Sequence, residues 1–406
     1  MRVVFFGTYD TATHPRVLVL AQGLRAQGAT VLECNAPLGI GTAARVAAVR
    51  RPWRAVPLVA RIARRWWSLA RAARAVRPRR GGTPVDAVVV GYLGLFDVHL
   101  ARLLFGRTPV VLDHMAGAAD IAADRRLGGR LRHRLLGAID RAALARADVV
   151  VVDTDEQRDT LPRHVRERAV VCPVGAPDAW FDAGAGTPPA PPGPLTVVFF
   201  GLYTPLQGAP AIGAAARLLA DRPVRFTMIG HGQDEDATRR AAGDVPVRWV
   251  PWADAAELPA LVAGHDVCLG IFGDGAKARR VVPNKVFQGA AAGCAIVTAD
   301  TAPQRRALGD AALFVPPGDP AALAAALDRL AADRAELDRL RGAARELAER
   351  DFTAARAALP LWRRLAQSRR GAGAAAAAAG VAGRPGEPGP GRSGRSLAEP
   401  DRAERR

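Results

Sequence analysis

The chain has 406 residues, of which 49% are hydrophobic, so it fits a globular protein with room for two domains. Its formal net charge of +18 indicates a polyanionic partner, namely phosphate groups, nucleic acid or an anionic membrane surface. The wide spacing of Cys34, Cys172, Cys268 and Cys294 argues against a disulfide scaffold or a cysteine metal site, and predicts reduced core thiols in a cytoplasmic protein. The sequence contains no strongly apolar run of 18 residues and no signal-peptide segment, so we expect no membrane span.

Residues 1–182 are predicted to form a first α/β domain, because strand and helix patterns alternate along them. The predicted strands are Val3–Phe6, Thr30–Glu33, Ala87–Gly91, Pro109–Asp113, Val149–Asp153 and Ala169–Cys172. Parallel sheets of this kind bind ligands beyond the carboxyl ends of their strands. We therefore expect one ligand-facing rim, which holds Gly7, Thr8, Arg16, Tyr92–Asp97, Asp113 and His114.

The segment Arg45–Arg80 carries 12 arginines, three tryptophans and no acidic residue. From Leu58 to Val76 its apolar residues recur on one helical face, with arginines on the flanks and the back. A basic amphipathic helix with tryptophan is typical of a peripheral membrane anchor. An ordinary domain helix whose apolar stripe packs on the sheet gives the same pattern, and both interpretations stay open.

A linker and an internal repeat mark the second domain. Val3–Tyr9 (VVFFGTY) recurs as Val197–Tyr203 (VVFFGLY), a strand that ends in glycine before a loop and a helix. Residues 183–194 (AGAGTPPAPPGP) are too rich in Pro and Gly for a helix or a central strand, so we expect a linker there. A domain over residues 195–358, a helix over 359–370 and a disordered low-complexity tail over 371–406 are predicted to follow. The predicted strands of the second domain are Thr196–Phe200, Arg225–Ile229, Val247–Val250, Val267–Ile271, Ala295–Thr298 and Ala312–Val315.

The stretch from Gly270 to Asp300 contains the predicted binding site of the second domain. A buried strand leads into a glycine-rich basic loop, and a helix begins at about Lys285 and stops at Gly293. The first N–H groups of a helix have no partner within it, and the helix dipole favours an anion there. The chain has only two lysines, Lys277 and Lys285, and both lie in this loop, together with Arg279, Arg280 and Asn284. We predict that the loop binds a phosphate group; a solvated basic loop is the alternative, which stays open for Lys277 above all.

Three motifs of the second domain resemble those of GT-B fold glycosyltransferases, specifically the large retaining family 4. A strand end reads Gly-x-x-x-Pro-x-x-Gly over Gly201–Gly208, a Gly-x-Gly turn spans Gly230–Gly232, and the predicted helix ends in Ala291–Val297 (AAGCAIV). The resemblance covers about residues 1–367 and implies two Rossmann-like domains that face a cleft. It implies a hexosyltransferase-like enzyme that moves a sugar, with retention of anomeric configuration, from a nucleoside diphosphate sugar to an acceptor that the sequence does not identify.

The chain departs from this family at three positions. The family commonly has two glutamates separated by seven residues across the loop and the helix, and Arg280 and Gln288 occupy those places here. Gln288 can still hydrogen-bond a ribose hydroxyl, whereas Arg280 suits a phosphate or an acidic sugar better than a neutral one. The basic residue that is often found at Gln207 is also missing. These changes indicate either a branch of the family or a loss of activity.

The resemblance also implies roles for residues of both domains. Lys285, Arg279 or Arg280, and the first N–H groups of the helix would neutralise the diphosphate leaving group, while Gly7 and Thr8 close over the phosphates. Related enzymes keep a functional histidine near the donor sugar, so Asp113 and His114 are the predicted catalytic residues; a histidine that is merely bonded at a strand end is the alternative. The predicted donor-binding and phosphate-binding residues are Gly7, Thr8, Arg16, Gly201, Gly230, His231, Gly232, Lys277, Arg279, Arg280, Asn284, Lys285 and Gln288. The resemblance implies no metal ion and no cofactor besides the donor substrate.

Three other functions stay open. A sugar-nucleotide epimerase shares the architecture, but it needs acid and base residues that the acid-poor stretch Gly270–Asp300 does not supply. A non-catalytic homologue that acts as a scaffold is favoured by Arg280 and Gln288. Nucleic-acid binding is compatible with the charge, but no recognition motif occurs. We therefore predict a cytoplasmic glycosyltransferase that binds a nucleotide sugar and no nucleic acid, at the inner face of a membrane if Arg45–Arg80 is an anchor.

Overall fold

Two parallel six-stranded sheets, each covered by helices on both faces, make up the fold in a computed structural model. The structure describes residues 1–11, 14–39, 55–77, 82–92, 94–186 and 192–382. Every hydrogen-bonded pair of neighbouring strands in the two sheets is parallel. The predicted α/β class with two doubly wound parallel sheets is confirmed.

The first sheet has the strand order β2-β1-β3-β4-β5-β6. Its strands are β1 (Arg2–Gly7), β2 (Thr30–Asn35), β3 (Ala87–Val90), β4 (Val110–Asp113), β5 (Val149–Val152) and β6 (Ala169–Val171). The helices in this half are α1 (Arg16–Ala26), α2 (Ala55–Val76), α3 (Asp97–Phe105), α4 (Ala118–Asp124), α5 (Arg130–Arg146), α6 (Asp155–Asp159), α7 (Arg163–Arg166) and α8 (Asp178–Gly184). The sheet buries valine-rich strands on both faces, as a sheet with helices on both sides requires.

Successive residues of each strand point to opposite faces of this sheet. Val4 and Phe6 pack with α2, α3 and α5, whereas Val3 and Phe5 pack with α1 and with a helix from the far end of the chain. Helix α3 packs between α2 and α5, so these three helices form one outer layer. The carboxyl ends of β1, β4 and β5 lie at one edge and carry Gly7, Asp113 and Asp153 there.

Helix α2 lies in the segment for which two interpretations were open. Leu69 and Ala73 are fully buried against the first sheet, and Trp66 packs beside them while its indole N–H donates to Asp97 at 2.8 Å. The predicted apolar stripe is therefore a packing face, as in an ordinary domain helix, and not a membrane-facing one. Trp67 points the other way and is 64% exposed. The side chains of Trp53 and Leu58 lie outside the described residues.

The second sheet has the strand order β12-β11-β10-β7-β8-β9. Its strands are β7 (Leu195–Phe200), β8 (Val224–Ile229), β9 (Val247–Val250), β10 (Val267–Leu269), β11 (Ala295–Ala299) and β12 (Ala312–Val315). Its helices are α9 (Ala209–Leu218), α10 (Glu235–Ala242), α11 (Leu258–Ala263), α12 (Asn284–Ala291), α13 (Ala302–Leu308), α14 (Pro320–Ala332) and α15 (Arg334–Leu347). In this order β7 is the fourth strand, between β10 and β8, so the loops after these three strands meet at one edge.

Two helices pack on the sheet that is not nearest to them in sequence. Trp180 of α8 joins the core of the second sheet, where its ring stacks on Phe200 at 5.4 Å. The last described helix, α16 (Ala354–Ala382), packs Leu361 and Leu365 on the first sheet. The predicted domain limits of 182 and 358 remain predictions, and part of the predicted linker, residues 187–191, lies outside the described residues.

Helix α16 corrects one prediction about the tail. The helix begins at Ala354, before the predicted start at 359, and continues to Ala382, so residues 371–382 are helical rather than disordered. The alanine run of residues 374–379 explains the continuation, since alanine has the highest intrinsic helix propensity. Residues 383–406 lie outside the described residues. The described residues up to Leu365 form one compact unit, and the described residues from Ala366 to Ala382 belong to a second. None of the described helices is long and apolar enough to cross a membrane.

Candidate active site

Glycine turns build the edge of the second sheet where β7, β8 and β10 end. Gly230 has φ +121°, and a Cβ there would lie 2.0 Å from the carbonyl oxygen of Gly201. A Cβ on Gly232 would lie 2.4 Å from the carbonyl oxygen of Tyr203. The two turns therefore pack backbone against backbone, which only glycine allows. The structure thus brings Gly201, Gly230 and Gly232 together, as the sequence predicts.

Lys285 lies directly beside this glycine cluster, in the first turn of α12. A Cβ on Gly201 would be 3.3 Å from its Nζ atom, although Lys285 as a residue is only 4% exposed. The ammonium donates a hydrogen bond to Oε1 of Gln207 and lies 3.7 Å from the ring centre of Phe199. Burial lowers the pKa of Lys285 to about 7, and among the described groups only the Cys268 thiol opposes that shift. A buried cation with neutral neighbours attracts an anion strongly.

At the same place, the start of α12 adds backbone N–H groups that no side chain caps. Pro283 precedes the helix in an extended conformation, and its side chain cannot accept from the first-turn N–H groups. Asn284 is the first helical residue and is half-buried, while Gln288 lies one turn further on and is 5% exposed. An eight-residue helix whose uncapped first turn carries a buried lysine is suited to an anion such as phosphate.

Lys277 and Arg280 face the first sheet's half of the molecule instead. An Nη2 atom of Arg280 lies 3.4 Å from Oδ1 of Asp120 in α4, and the backbone oxygen of Arg280 accepts from the hydroxyl of Thr154 at 2.5 Å. Burial lowers the pKa of Lys277, and the carboxylates of Asp124 and Asp120 act in the opposite sense. The structure therefore pairs Arg280 with the carboxylate of Asp120 and places Lys277 near those of Asp124 and Asp120. Arg279 is exposed and contacts the backbone oxygen of Asp274 at 3.4 Å.

Thr8 is also hydrogen-bonded to another residue of the protein. Its backbone N–H and its hydroxyl both donate to Oδ2 of Asp97, at 2.7 and 2.8 Å. Gly7 lies against the same carboxylate, since a Cβ there would be 3.1 Å from it. Because a carboxylate repels phosphate, contact of Gly7 and Thr8 with a donor requires rearrangement and stays a prediction. The sequence places Asp97 on the same rim as Thr8 but does not show that the two residues are hydrogen-bonded.

Arg16 is an internal residue rather than a free phosphate ligand. It is 1% exposed, its Nε atom lies 3.4 Å from Oδ1 of Asp113, and its Nη1 atom donates to the backbone oxygen of Pro173 at 2.5 Å. Burial raises the pKa of Asp113 against the lowering effect of Arg16, and burial raises the pKa of nearby Asp153 to about 6. The guanidinium of Arg16 thus acts to lower the pKa of two buried carboxyl groups, those of Asp113 and Asp153 at the ends of β4 and β5. The sequence places both aspartates at strand ends but does not show that they share an arginine.

His114 follows Asp113 and is 5% exposed. Burial lowers its pKa, while the carboxylates of Asp140 and Asp120 act to raise it. Its Nδ1 atom has no hydrogen-bond partner within the described part of the chain. Asp140 also accepts from the N–H groups of Ala118 and Ala119, at 2.7 and 3.0 Å, and so anchors α4 beside the histidine. Neutral His114 near α4 has a free nitrogen for a ligand, and its catalytic role stays a prediction.

His231 and Trp252 form an exposed aromatic pair at the ends of β8 and β9. Their ring centres are 6.0 Å apart, Trp252 is 57% exposed, and Nδ1 of His231 lies 3.3 Å from the backbone oxygen of Pro251. The pair lies on the side of Gly230 and Gly232 away from β10, because β8 and β9 follow β7 in the sheet. A flat aromatic group therefore has a stacking partner at the edge that carries Lys285.

No group of three His, Cys, Asp or Glu side chains within the described ranges is arranged to hold a metal ion. The prediction that no metal takes part stays a prediction.

Comparison with known proteins agrees with this geometry. Residues 194–333 match the protein family described as Glycosyl transferases group 1, and this segment contains the glycine turns, Lys285 and Trp252. A search of curated protein sequences finds no match. Among solved structures, a sucrose-phosphate synthase from Thermosynechococcus elongatus has a TM-score of 0.64 at 17% identity, over 92% of this chain and 100% of that one.

Two further structures show the same likeness. Anabaena HepE in complex with UDP and glucose has a TM-score of 0.59 at 12% identity, over 90% of this chain and 100% of its own. An α,α-trehalose-phosphate synthase (UDP-forming) from Burkholderia vietnamiensis has a TM-score of 0.61 at 16% identity, over 90% of this chain and 96% of its own. At these identities the likeness establishes the fold. The GT-B fold predicted from the sequence is confirmed, and within it residues 194–333 are similar to the group 1 glycosyltransferases.

Proposed function

We propose that this protein transfers a sugar from a nucleoside diphosphate sugar to an acceptor, with retention of anomeric configuration, as a hexosyltransferase of the family 4 type. The observation that carries the proposal is the buried ammonium of Lys285, which lies beside Gly201 at the uncapped start of α12. Two comparisons support it, namely the family match of residues 194–333 and the complex of Anabaena HepE, a protein of the same fold, with UDP and glucose.

The diphosphate is the group that this site suits. Its oxygens would replace Oε1 of Gln207 as acceptors for Lys285 and would also accept from the first N–H groups of α12. In the reaction the bond between the sugar's anomeric carbon and the diphosphate breaks, and the acceptor oxygen bonds to that carbon. The acceptor's proton passes to the leaving phosphate. Lys285 and the helix start stabilise the negative charge that develops on the diphosphate.

The nucleobase would stack at His231 and Trp252, next to the diphosphate along the same sheet edge. We expect Trp252→Ala to weaken nucleotide-sugar binding about 3- to 10-fold, because one aromatic contact contributes about 0.5–1.5 kcal/mol beyond its burial. Isothermal titration calorimetry would measure the change. Inorganic pyrophosphate, which has no base, is the matched probe, and its affinity should be the same for both proteins. An equal loss for pyrophosphate would contradict this orientation.

Donor binding should take up a proton. Since the pKa of Lys285 is about 7 in the free protein, a bound diphosphate raises it and favours the charged form. We therefore expect the dissociation constant of a nucleotide sugar to rise between pH 7 and 9, by up to about tenfold per pH unit. Calorimetry in buffers of different ionisation enthalpy would count the proton. Lys285→Arg, which stays charged in this range, should remove the dependence.

A thermal-shift screen of nucleotide sugars tests the proposal itself, since a ligand that binds the folded state alone raises its melting temperature. A stabilising donor is then incubated with the protein, and release of nucleoside diphosphate is followed with Lys285→Met alongside. Stabilisation with release that depends on Lys285 supports the proposal. Stabilisation without release in the presence of candidate acceptors would favour the non-catalytic scaffold. Release that is unchanged in the variant would contradict the site.

A location at an anionic membrane surface also remains part of the proposal. Its support is the outward side of α2, where Trp67 is exposed and the Arg71 guanidinium lies 4.7 Å from the Trp67 ring centre.

A further inference from the structure

Exposed apolar side chains are concentrated on one side of the first sheet. The described residues include nine large hydrophobic side chains that are exposed, and six of them lie on or directly before α2, α3 and α5. These six are Val59, Trp67, Phe96, Leu103, Leu131 and Leu135, with exposures from 50% to 81%. The other three, Leu202, Leu218 and Trp252, lie in the second half of the chain. Such clustering is informative where isolated exposed residues are not.

The six side chains share one surface because their helices share one layer. Leu69 of α2, Val98 of α3 and Leu144 of α5 all point inward to the same face of the first sheet. Helix α3 packs against both α2 and α5. The outward sides of the three helices therefore form a continuous outer surface of this layer, which we name the three-helix face.

The three-helix face is basic as well as apolar. The three helices contain two acidic residues, Asp97 and Asp140, and both are buried with their carboxylates bonded to inward groups. Arg102 of α3 pairs with Asp148 at 2.5 Å, just beyond α5. The exposed arginines of α2 and α5 on this layer are Arg61, Arg64, Arg71, Arg74, Arg130, Arg134, Arg141 and Arg146.

We propose that the three-helix face docks on an anionic lipid bilayer. Exposed leucines and tryptophan enter the boundary between headgroups and acyl chains, and arginines around them pair with anionic headgroups. Each basic residue near such a surface adds to the attraction. This inference rests on the membrane location in the proposed function and extends the contact from α2 to α3 and α5. The face is separate from the donor site on the second sheet.

Two other occupants fit this face less well. Single-stranded nucleic acid would use aromatic platforms for its bases, whereas four of the six exposed side chains are leucine or valine. A second copy of the chain in a two-fold contact would place this arginine-rich face against an identical arginine-rich face, and like charges repel one another. An anionic bilayer satisfies both the apolar side chains and the arginines.

Sedimentation of the full chain with lipid vesicles tests the proposal. We expect binding to vesicles of phosphatidylcholine with phosphatidylglycerol, little binding to pure phosphatidylcholine, and weaker binding at high salt because the electrostatic part is screened. The variant Trp67→Ser/Leu131→Ser/Leu135→Ser should lower the partition coefficient at least tenfold. All three side chains are exposed, so thermal unfolding should change little.

Helix α9 of the second sheet provides a matched control. Arg217→Gln/Leu218→Ser removes an exposed arginine and a leucine that is 56% exposed, far from the three-helix face in the fold, and should leave vesicle binding unchanged. Equal binding to neutral and anionic vesicles, or equal loss in the α9 variant, would overturn the proposal. Two further results would overturn it. One is displacement of the protein from vesicles by a DNA duplex or oligonucleotide for which the triple variant has a lower affinity. The other is a dimer, detected by light scattering without vesicles, that the triple variant no longer forms.

Discussion

Lys285→Met should abolish most donor turnover and at the same time make the protein more stable. Loss of the buried ammonium removes the main charge opposite the diphosphate, so we expect kcat/KM to fall about 100- to 1,000-fold. Methionine fills a similar volume without a charge that must be desolvated. Kinetics of nucleoside diphosphate release and the melting temperature of the same preparation measure the two effects.

The pH dependence of that stability gain has a defined sign. The folded-state pKa of Lys285, about 7, lies below its ordinary value. Between about pH 7 and 10 the unfolded chain therefore binds one more proton than the folded chain. Because of this difference, the wild type gains stability as pH rises through that range. The advantage of Lys285→Met should therefore be largest near pH 7 or below and shrink as pH rises.

Lys277→Met is the comparison, because Lys277 is the only other lysine. The carboxylates of Asp124 and Asp120 offset part of the cost of burying its charge, so Lys277→Met should change the melting temperature less than Lys285→Met does. We expect a smaller loss of turnover than for Lys285→Met. Equal losses of turnover in the two variants, or a destabilised Lys285→Met, would contradict the account of Lys285.

Arg16→Leu should have the largest effect on stability. The guanidinium is fully buried against Asp113 and near Asp153, and breaking a buried ion pair by removing one partner costs about 3–5 kcal/mol. For a domain of this size that cost lowers the melting temperature on the order of 10 °C. Calorimetry at pH 7 would measure it, and the loss should be smaller at pH 5, where the unopposed carboxyl groups take up protons.

An exposed ion pair serves as the control for Arg16. Arg25 lies on the same helix and pairs with Glu33 at 2.8 Å, but both side chains are 44% exposed. Arg25→Leu should cost no more than about 1 kcal/mol. Asp113→Asn in the Arg16→Leu background should recover part of the loss, because it removes one of the unopposed charges. A mild effect of Arg16→Leu, equal to that of Arg25→Leu, would show that Arg16 does not hold this cluster.

The fold was predictable from local patterns. Alternating strands and helices gave the strand positions of both sheets, and the repeat of Val3–Tyr9 at Val197–Tyr203 located the start of the second sheet's first strand. The glycine turns and the start of α12 were predictable for the same reason, since backbone geometry at Gly230 or Pro283 depends on residues close in sequence.

Side-chain partners from distant segments were not predictable. Thr8 bonds to Asp97, and Arg280 pairs with Asp120 at a separation of 160 residues. No pattern within one sequence links such pairs, so Thr8 and Arg280 were predicted as free phosphate ligands. The apolar stripe of α2 was ambiguous because a helix that packs on a sheet and a helix that lies on a membrane have the same apolar periodicity. Only the packed fold shows that Leu69 points inward and Trp67 outward.

A crystal structure of the protein with UDP or GDP tests the central claim most directly. We predict that a phosphate oxygen lies within hydrogen-bonding distance of Nζ of Lys285 and of the first N–H groups of α12, beside Gly201, with the base at Trp252. A diphosphate bound at Lys277 and Arg280 while Lys285 keeps its bond to Gln207 would contradict the account.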